Sequence, residues 1–373
     1  MKVIQLFLIL IFSLKAHGAD IGLSVRALGM GNAFTAVTDD TDAVFYNPAG
    51  LAKMSGFRWT ILDPAIGANT YDSYQDYLDI AEESSDEFET INELMGEEVS
   101  IYSGAKSIFA IGGFAFGAYG VADANFLVNN PVYPNIESSY RLDFGFVAGA
   151  GVNLVPDFFD IGVQARRVNR QGGNIPIGVS TIATLDSETI QNEFNRSGIG
   201  YAFDIGATMS FPSALSPTLS FTWRDVGDTS FEPTDEGGVA PSPVLSEQII
   251  GLGFVYKSTL MDIRTAIDYR YLTQTEMQLG KKLNMGMEFS WPIIDVRGGF
   301  HQGYYTLGAG FDLWLMRVDA ATYGVELGEY PGQLEDRRYM LQVTFEFGID
   351  PGSFSFFKLS RPSVKNHSRK QRR

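Results

Sequence analysis

Charged residues recur in this sequence within segments that alternate between apolar and polar side chains, a spacing typical of β-strands. In residues 260–271, Asp262, Arg264 and Asp268 fall on the face opposite Ile263 and Ile267. If such strands close into a membrane barrel, the apolar face meets lipid and the charges face inward. There they either form structural ion pairs, which we favour, or line a passage. We predict that the following charged residues line the lumen: Arg141, Asp143, Asp204, Arg224, Arg264, Asp268, Arg270, Glu288, Asp295, Arg297, Arg317 and Asp319.

Catalytic chemistry has little support in the sequence. Of the three histidines, His17 lies in the N-terminal apolar region and His367 in the basic tail, so a histidine-based metal cluster or triad cannot be assembled. The chain has no cysteine, which excludes a thiolate metal site. Gly29 and Gly31 neither follow a strand nor complete a nucleotide-binding glycine pattern. We predict no catalytic residue, no metal, no cofactor and no enzymatic activity.

Composition favours one large β architecture. Aromatic residues make up 13% of the 373 residues, charged residues only 19%, and there are 40 glycines. The net charge of −16 argues against a nucleic-acid partner, because phosphate binding needs a basic face.

The first 19 residues predict a cleaved secretory signal peptide. Lys2 precedes an apolar run over residues 3–14, and small residues follow at Ala16, Gly18 and Ala19. The run is shorter than the roughly 20 residues that a membrane-spanning helix needs. We therefore expect export, and residence in the outer membrane as a multi-pass β-barrel.

Connections between the alternating segments differ in length in a regular way. Short ones at 156–157, 211–216, 257–259, 291–292 and 312–315 lie between longer ones at 129–137, 171–197, 227–247, 273–280, 301–303 and 326–337. Outer-membrane barrels have short periplasmic turns and long outer loops, and an even strand number. We predict an all-β, transmembrane antiparallel barrel of about fourteen strands over residues 57–349, with about twelve as the alternative.

Two further segments differ from the strands. Residues 71–98 are acidic and have helical periodicity, which predicts a short helical insert in an outer loop. Residues 350–373 carry basic but no acidic side chains after Pro351, and we interpret them as a basic periplasmic tail, disordered or in contact with anionic lipid or a partner.

Residues 20–56 precede the first strand and are too irregular to form one, so we predict a hatch that folds back into the lumen. Its glycines would let backbone approach the barrel wall, its aspartates would pair with inward arginines, and Asn47 with Pro48 would fix a turn. Polar contacts rather than a dry core would then hold it. The predicted hatch and gate residues are Gly29, Gly31, Asp39, Asp40, Asp42, Asn47, Pro48 and Gly50.

Residues 27–51, from Ala-Leu-Gly-Met-Gly to Tyr-Asn-Pro-Ala-Gly-Leu, resemble the N-terminal hatch of the FadL-type outer-membrane barrels, and look closest to their PorV-like branch. The resemblance implies a fourteen-stranded barrel with the hatch in its lumen. It also implies one of two functions. FadL-type members pass long-chain fatty acids or other hydrophobic molecules, whereas PorV-like members are accessory partners in protein secretion.

We therefore expect an outer-membrane transporter or channel for hydrophobic, fatty-acid-like small molecules, gated by the hatch. The alternative is a non-transporting PorV-like barrel that docks partners or assists secretion. A structural or adhesive surface protein, or a soluble secreted β-protein, remains a third interpretation. The expected partners are outer-membrane lipid, a hydrophobic ligand and a periplasmic or secreted protein.

Overall fold

The structure is a computed structural model that describes residues 24–54, 56–69, 98–129, 135–178, 196–313, 315–328 and 330–349. The predicted signal peptide, the acidic insert at 71–98 apart from its last residue, and the basic tail lie outside the described residues.

The described residues are mostly strands. They are β1 (Phe57–Leu62), β2 (Ala65–Ala68), β3 (Glu98–Ile111), β4 (Phe114–Asn129), β5 (Asn135–Val155), β6 (Phe159–Gly178), β7 (Ser197–Ser210), β8 (Thr218–Arg224), β9 (Phe231–Pro233), β10 (Glu247–Lys257), β11 (Asp262–Tyr269), β12 (Leu283–Ser290), β13 (Ile294–His301), β14 (Tyr304–Asp312), β15 (Met316–Glu326) and β16 (Glu335–Ile349). The helical segments are α1 (Val25–Gly29), α2 (Ala43–Tyr46), a 3-10 helix (Pro48–Lys53) and α3 (Leu279–Lys282).

The strands close into an antiparallel barrel. β1 and β2 both pair with β16 on one side and β3 on the other, so together they form one strand position, interrupted at Asp63 and Pro64. The break is held because Val343 N donates to Pro64 O at 2.9 Å and Thr344 Oγ1 donates to Asp63 Oδ1 at 2.8 Å. The short strand β9 pairs with the beginning of β7, at Gly198 to Gly200. Counted this way, the described residues form fourteen strand positions, which confirms the predicted barrel and excludes twelve strands.

Several predicted boundaries are wrong. β3 continues to Ile111 and turns at Gly112 and Gly113, whose φ angles are 55° and 89°, instead of ending near residue 105. Residues 135–137 and 171–178, predicted as parts of loops, are strand, because β5 and β6 extend beyond the apolar–polar alternation. The loop predicted at 301–303 is a two-residue hairpin turn, with Gln302 at φ 52° and Gly303 at φ 94°.

The outward and inward faces of the barrel wall differ in polarity, as expected for a barrel in a membrane. On β7 the outward Tyr201 and Phe203 are 63% and 55% exposed, whereas the inward Asp204 is 1% exposed. The outward face is thus apolar and the charges lie inside, the arrangement of lipid-facing barrels. None of the helices in the described part of the chain has the length and hydropathy to cross a bilayer.

The turns sort to two ends of the barrel. At one end, here called the short-turn end, adjacent strands are joined by connections such as 112–113, 156–158 and 291–293. Residues 24–54 lead into β1 at this end, and β16 ends there. The opposite end, with connections such as 225–246 and 270–282, is called the long-loop end.

Candidate functional site: the lumen and its hatch

Residues 24–54, here called the hatch, lie inside the barrel. α1 contacts β13 to β16, whereas the 3-10 helix contacts β4 to β7 on the opposite wall. Met30, Phe34 and Leu51 are fully buried. The segment therefore crosses the lumen from wall to wall.

Asn47 organises the C-terminal half of the hatch. Its side-chain oxygen accepts a hydrogen bond from Ala49 N at 3.1 Å, and Pro48 begins the 3-10 helix, where a missing N–H costs nothing. Its amide nitrogen donates to Thr35 O at 3.0 Å, which ties this helix to the preceding turn. The two residues thus fix the turn predicted for them.

Hatch backbone lies directly against wall backbone at glycines. Gly31 has φ 65°, and a β-carbon there would overlap the carbonyl oxygens of Met285 and Phe300. On the wall, a β-carbon at Gly286 would overlap the backbone of Met30. Gly29 lies less closely against the wall, since an added β-carbon would be 3.1 Å from the α-carbon of Gly308. Only glycine allows this separation.

A second glycine contact lies on the opposite wall. β-Carbons at Gly162 and Gly206 would overlap Pro48 and Asn47, respectively, and one at Gly151 would overlap Ala52. Sequence reasoning missed these wall glycines, although each occupies an inward position in an alternating strand. Gly50 behaves differently from the prediction, because its nearest neighbours, Thr38 and Ala43, belong to the hatch itself.

Glu288 is the centre of the polar anchor. Strand register places it directly between Arg264 on β11 and Arg297 on β13. Arg264 Nη1 and Arg297 Nε donate to it at 3.1 and 2.7 Å. From the hatch, Arg26 donates through Nε at 2.8 Å and through Nη2 at 2.7 Å. One fully buried carboxylate thus binds three guanidinium groups, one of them bidentately.

Two aspartates of the hatch, Asp39 and Asp40, also form ion pairs with the arginines around Glu288. Asp39 pairs with Arg26 at 3.0 Å and with Arg264 at 3.2 Å, and Asp40 pairs with Arg26 at 2.5 Å. These are the predicted contacts between hatch aspartates and wall arginines. Beyond them, Arg297 and Arg317 both pair with Asp295 and Asp319, at distances from 2.5 to 3.0 Å.

Two further contacts fasten the hatch. Asp268, predicted only as a lumen residue, accepts hydrogen bonds from the backbone N–H groups of Phe34 and Thr35 at 2.9 and 3.1 Å. Lys106, which sequence reasoning did not select, pairs with Asp42 at 3.0 Å and with Asp63 at 2.7 Å. Its inward position on β3 was the available signal.

The two hatch carboxylates that bind Arg26 differ in their acidity. Burial raises the pKa of Asp40 to about 6, with Asp42 and Asp39 adding to the rise and Arg26 opposing it. Burial acts on Asp39 in the same sense, but Arg26 and Arg264 outweigh it and hold the pKa of Asp39 below its usual range. Asp40 therefore takes up a proton at a higher pH than Asp39 does.

The remaining predicted lumen residues also face inward, nearer the long-loop end. They pair mostly with charged residues that the sequence analysis did not select, namely Asp123, Arg166 and Glu247. Arg141 pairs with Asp123 and Asp143, Arg166 with Asp204 and Asp225, and both Arg224 and Arg270 with Glu247. The structure thus joins the predicted charges into two groups. One group binds the hatch and the other ties wall strands together.

The opposite side of the hatch is apolar. Val44, Phe45 and Leu51 belong to a buried cluster with wall residues that include Tyr119 and Val147, and the rings of Phe45 and Tyr119 meet edge to face at 5.6 Å. The prediction that polar contacts alone hold the hatch is therefore wrong on this side. The charged anchor of the hatch lies against β11 to β16, with one further ion pair to Lys106 on β3, whereas its contacts with β4 and β5 are apolar.

Two cavities lie beside the charged residues of the hatch. A cavity of about 570 Å³ opens near the short-turn end and is lined by hatch residues Asp39 and Lys53 and by wall residues Asp160 and Arg264. A water-sized space of about 40 Å³ lies beside Arg26 and Asp40. Among the described residues, no group of three or more acidic or histidine side chains is arranged to hold a metal ion.

Solved structures share this architecture. The monoaromatic hydrocarbon channel CymD superposes with a TM-score of 0.53 at 10% identity over 90% of this chain and 99% of its own. The deltaS2 mutant of the TodX monoaromatic hydrocarbon channel gives 0.52 at 11% identity over 88% and 98%. A Pseudomonas aeruginosa FadL homologue gives 0.47 at 13% identity over 90% and 98%.

No protein-family model and no curated protein sequence matches the chain. The similarity is therefore one of three-dimensional structure and extends over almost the whole length of the compared channels. This chain has the fold of the monoaromatic hydrocarbon channels: a closed fourteen-stranded antiparallel barrel.

Proposed function

We propose that the protein is an outer-membrane channel for hydrophobic small molecules and that the hatch is its gate. The observation that carries the proposal is the two-sided seating of the hatch in the lumen. Its polar side is anchored on Glu288 and Asp268, while its contacts with β4 and β5 are apolar. A hydrophobic molecule would follow the side of β4 and β5, where the contacts of the hatch are apolar.

The similarity in fold to hydrocarbon channels supports the same function class, and the apolar outer face fits a membrane position. A fatty-acid-like or aromatic ligand suits a route lined by Phe45 and Tyr119. Export through a cleaved signal peptide is part of this proposal.

A removable disulfide tests the gate directly, because the chain has no native cysteine. Thr41 of the hatch and Thr60 of β1 have their hydroxyl oxygens 2.7 Å apart, so the double cysteine variant should cross-link them. We expect uptake of toluene or oleate into proteoliposomes to fall when this pair is oxidised and to return on reduction.

The matched control joins two wall strands. Ser210 and Thr218 have hydroxyl oxygens 3.3 Å apart on β7 and β8, so a disulfide between them adds no covalent bond to the hatch. Lys53 of the hatch donates to Ser210 at 3.0 Å, and the reduced form of the control accounts for the loss of that hydrogen bond. Equal uptake by the oxidised and reduced hatch variant would refute gating by the hatch. Absence of uptake by the unmodified protein would refute transport itself.

One observation favours the alternative, a PorV-like barrel that docks partners without transport. The hatch is anchored by Arg26, whose partners are Glu288, Asp39 and Asp40, and so dense an anchor suits a permanently closed lumen. Crosslinking in native outer membranes would then recover a periplasmic or secreted protein. Recovery of this chain alone would count against the alternative.

A further inference from the structure

A groove of about 730 Å³ runs along the outside of the barrel wall between β1 and β7. Its sides are the aromatic rings of Trp59, Phe109, Phe116, Phe146, Tyr201 and Phe203. Its floor consists of small outward side chains, including Ala118, Ala148 and Ala165. Small residues between ridges of large ones make this face concave, whereas bulky outward residues cover β10 to β14.

Arg167 lines this groove from an outward position on β6. Its cross-strand neighbours are Phe146 on β5 and Tyr201 on β7, both more than 60% exposed. The preceding residue, Arg166, faces inward and pairs with Asp204 and Asp225 at 2.7 and 2.6 Å. No described residue supplies a carboxylate to Arg167. The groove therefore contains an arginine whose charge is not balanced by a carboxylate of the described residues.

The position of Arg167 along the membrane normal indicates which kind of group can balance its charge. It lies eight residues along β6 from Phe159 at the short-turn end. At a rise of about 3.3 Å per residue and a tilt of about 40°, this is about 20 Å along the normal of an apolar band about 25 Å tall. The next outward residue, Asn169, is polar. Arg167 thus lies about 5 Å inside the edge of the band nearer the long-loop end, from where a long arginine side chain reaches the lipid phosphates.

We propose that the groove binds a phosphate-bearing lipid, with the phosphate on Arg167 and an acyl chain between the aromatic ridges. A guanidinium group binds phosphate oxygens bidentately, and a cation facing hydrocarbon without a partner is costly. The apolar floor, only about one side chain deep, suits an extended hydrocarbon chain. This site is separate from the lumen and does not depend on the proposed transport.

Native mass spectrometry of the full-length, delipidated protein tests the site. The probes are dioleoylphosphatidylglycerol, dioleoylglycerol, which has the same chains without the phosphate, and inorganic phosphate alone. We expect retention of one phosphatidylglycerol by the wild type. Because charge-assisted hydrogen bonds are lost, Arg167→Gln should weaken its apparent affinity by about tenfold, whereas Arg167→Lys should weaken it less.

Two further variants complete the design. Ala118→Trp fills the groove floor and should displace the lipid while retaining Arg167. Arg337→Gln is the matched control, because Arg337 also faces outward, on β16, but is already paired with Glu335 and lies 4.0 Å from the ring centroid of Tyr305. It should retain wild-type lipid binding.

The proposal is overturned if dioleoylglycerol or phosphate alone binds as well as phosphatidylglycerol, or if Arg167→Gln and Arg337→Gln behave alike. A copurifying protein displaced by Ala118→Trp, without a lipid effect, would also overturn it and identify the groove as a protein interface. Heat-modifiable gel migration verifies that each variant is a folded barrel. Should Arg167→Gln fail to fold, the comparison of Ala118→Trp with wild type decides.

Discussion

Replacing Glu288 by glutamine should release the hatch without opening the barrel wall. The carboxylate of Glu288 binds Arg26 of the hatch as well as Arg264 and Arg297 of the wall. An amide keeps the shape but removes the charge and turns one acceptor into a donor, which then faces guanidinium groups that are also donors.

The size of the effect follows from what each arginine retains. Breaking a buried ion pair costs about 3–5 kcal/mol when the remaining charge has no other partner. Here Arg26 keeps Asp39 and Asp40, and Arg297 keeps Asp295 and Asp319. We therefore expect a smaller loss for hatch seating, about 2 kcal/mol, which is about a thirtyfold rise in the open fraction.

Maleimide labelling of a buried hatch cysteine measures that fraction. Ala33 is fully buried and small, and the chain has no other cysteine, so Ala33→Cys reports hatch exposure alone. When the hatch opens and closes faster than maleimide reacts, the labelling rate is proportional to the open fraction. The rate should then rise about thirtyfold in the Glu288→Gln background.

Glu247→Gln is the matched control. Glu247 is also inward and buried and also binds arginines, Arg224 and Arg270, but all three residues belong to the wall or the loop after β11. Its loss should lower barrel stability and leave the labelling rate at Ala33→Cys unchanged. Equal labelling in the wild type and Glu288→Gln, or an equal rise in both variants, would refute the reasoning.

Two more outcomes use the same hatch. Gly286→Val should prevent seating of the hatch, because the valine side chain would overlap the backbone of Met30. Gly298→Val should be tolerated, because the nearest neighbours of an added β-carbon lie 3.8 and 4.0 Å away. The rate of Ala33→Cys labelling in each background distinguishes the two outcomes. Lowering the pH from 7.5 to 5 should slow Ala33→Cys labelling several-fold once each rate is divided by that of the unfolded variant at the same pH, which removes the effect of thiol ionisation, and Asp40→Asn should abolish this normalised change. The pKa of Asp40 is raised to about 6 in the seated hatch, whereas a solvated aspartate has a pKa near 4. Between these two pH values the seated state binds a proton that the released state does not. Lowering the pH through this range therefore favours the seated state.

Strand alternation was enough to predict the barrel and the inward side chains. Once one face of a strand meets lipid, the period of two assigns every second residue to the lumen, as for Arg264 and Glu288. The partners could not be assigned in the same way. That Arg26 reaches Glu288, 262 positions away, depends on the path of an irregular segment that has no period.

The missed features have physical reasons as well. The outer parts of β5 and β6 lie beyond the apolar band, so their sequences lack the alternation by which strands are recognised. Gly162 and Gly286 were missed because a glycine that receives another backbone looks, in sequence, like any strand glycine. The apolar side of the hatch was overlooked because its residues do not form a regular stripe.

The interrupted strand position formed by β1 and β2 has a consequence for the order of folding. It follows the hatch directly in the chain and pairs with β16, so the last hydrogen-bonded seam joins residues 57–68 to residues 339–349. This pairing joins the first and last strand positions of the barrel, and we expect it to form late, because long-range contacts carry the largest loop-closure entropy. The hatch is surrounded on all sides only when that seam closes. Its enclosure is thus a step of barrel assembly, completed once the C-terminal strand has been delivered.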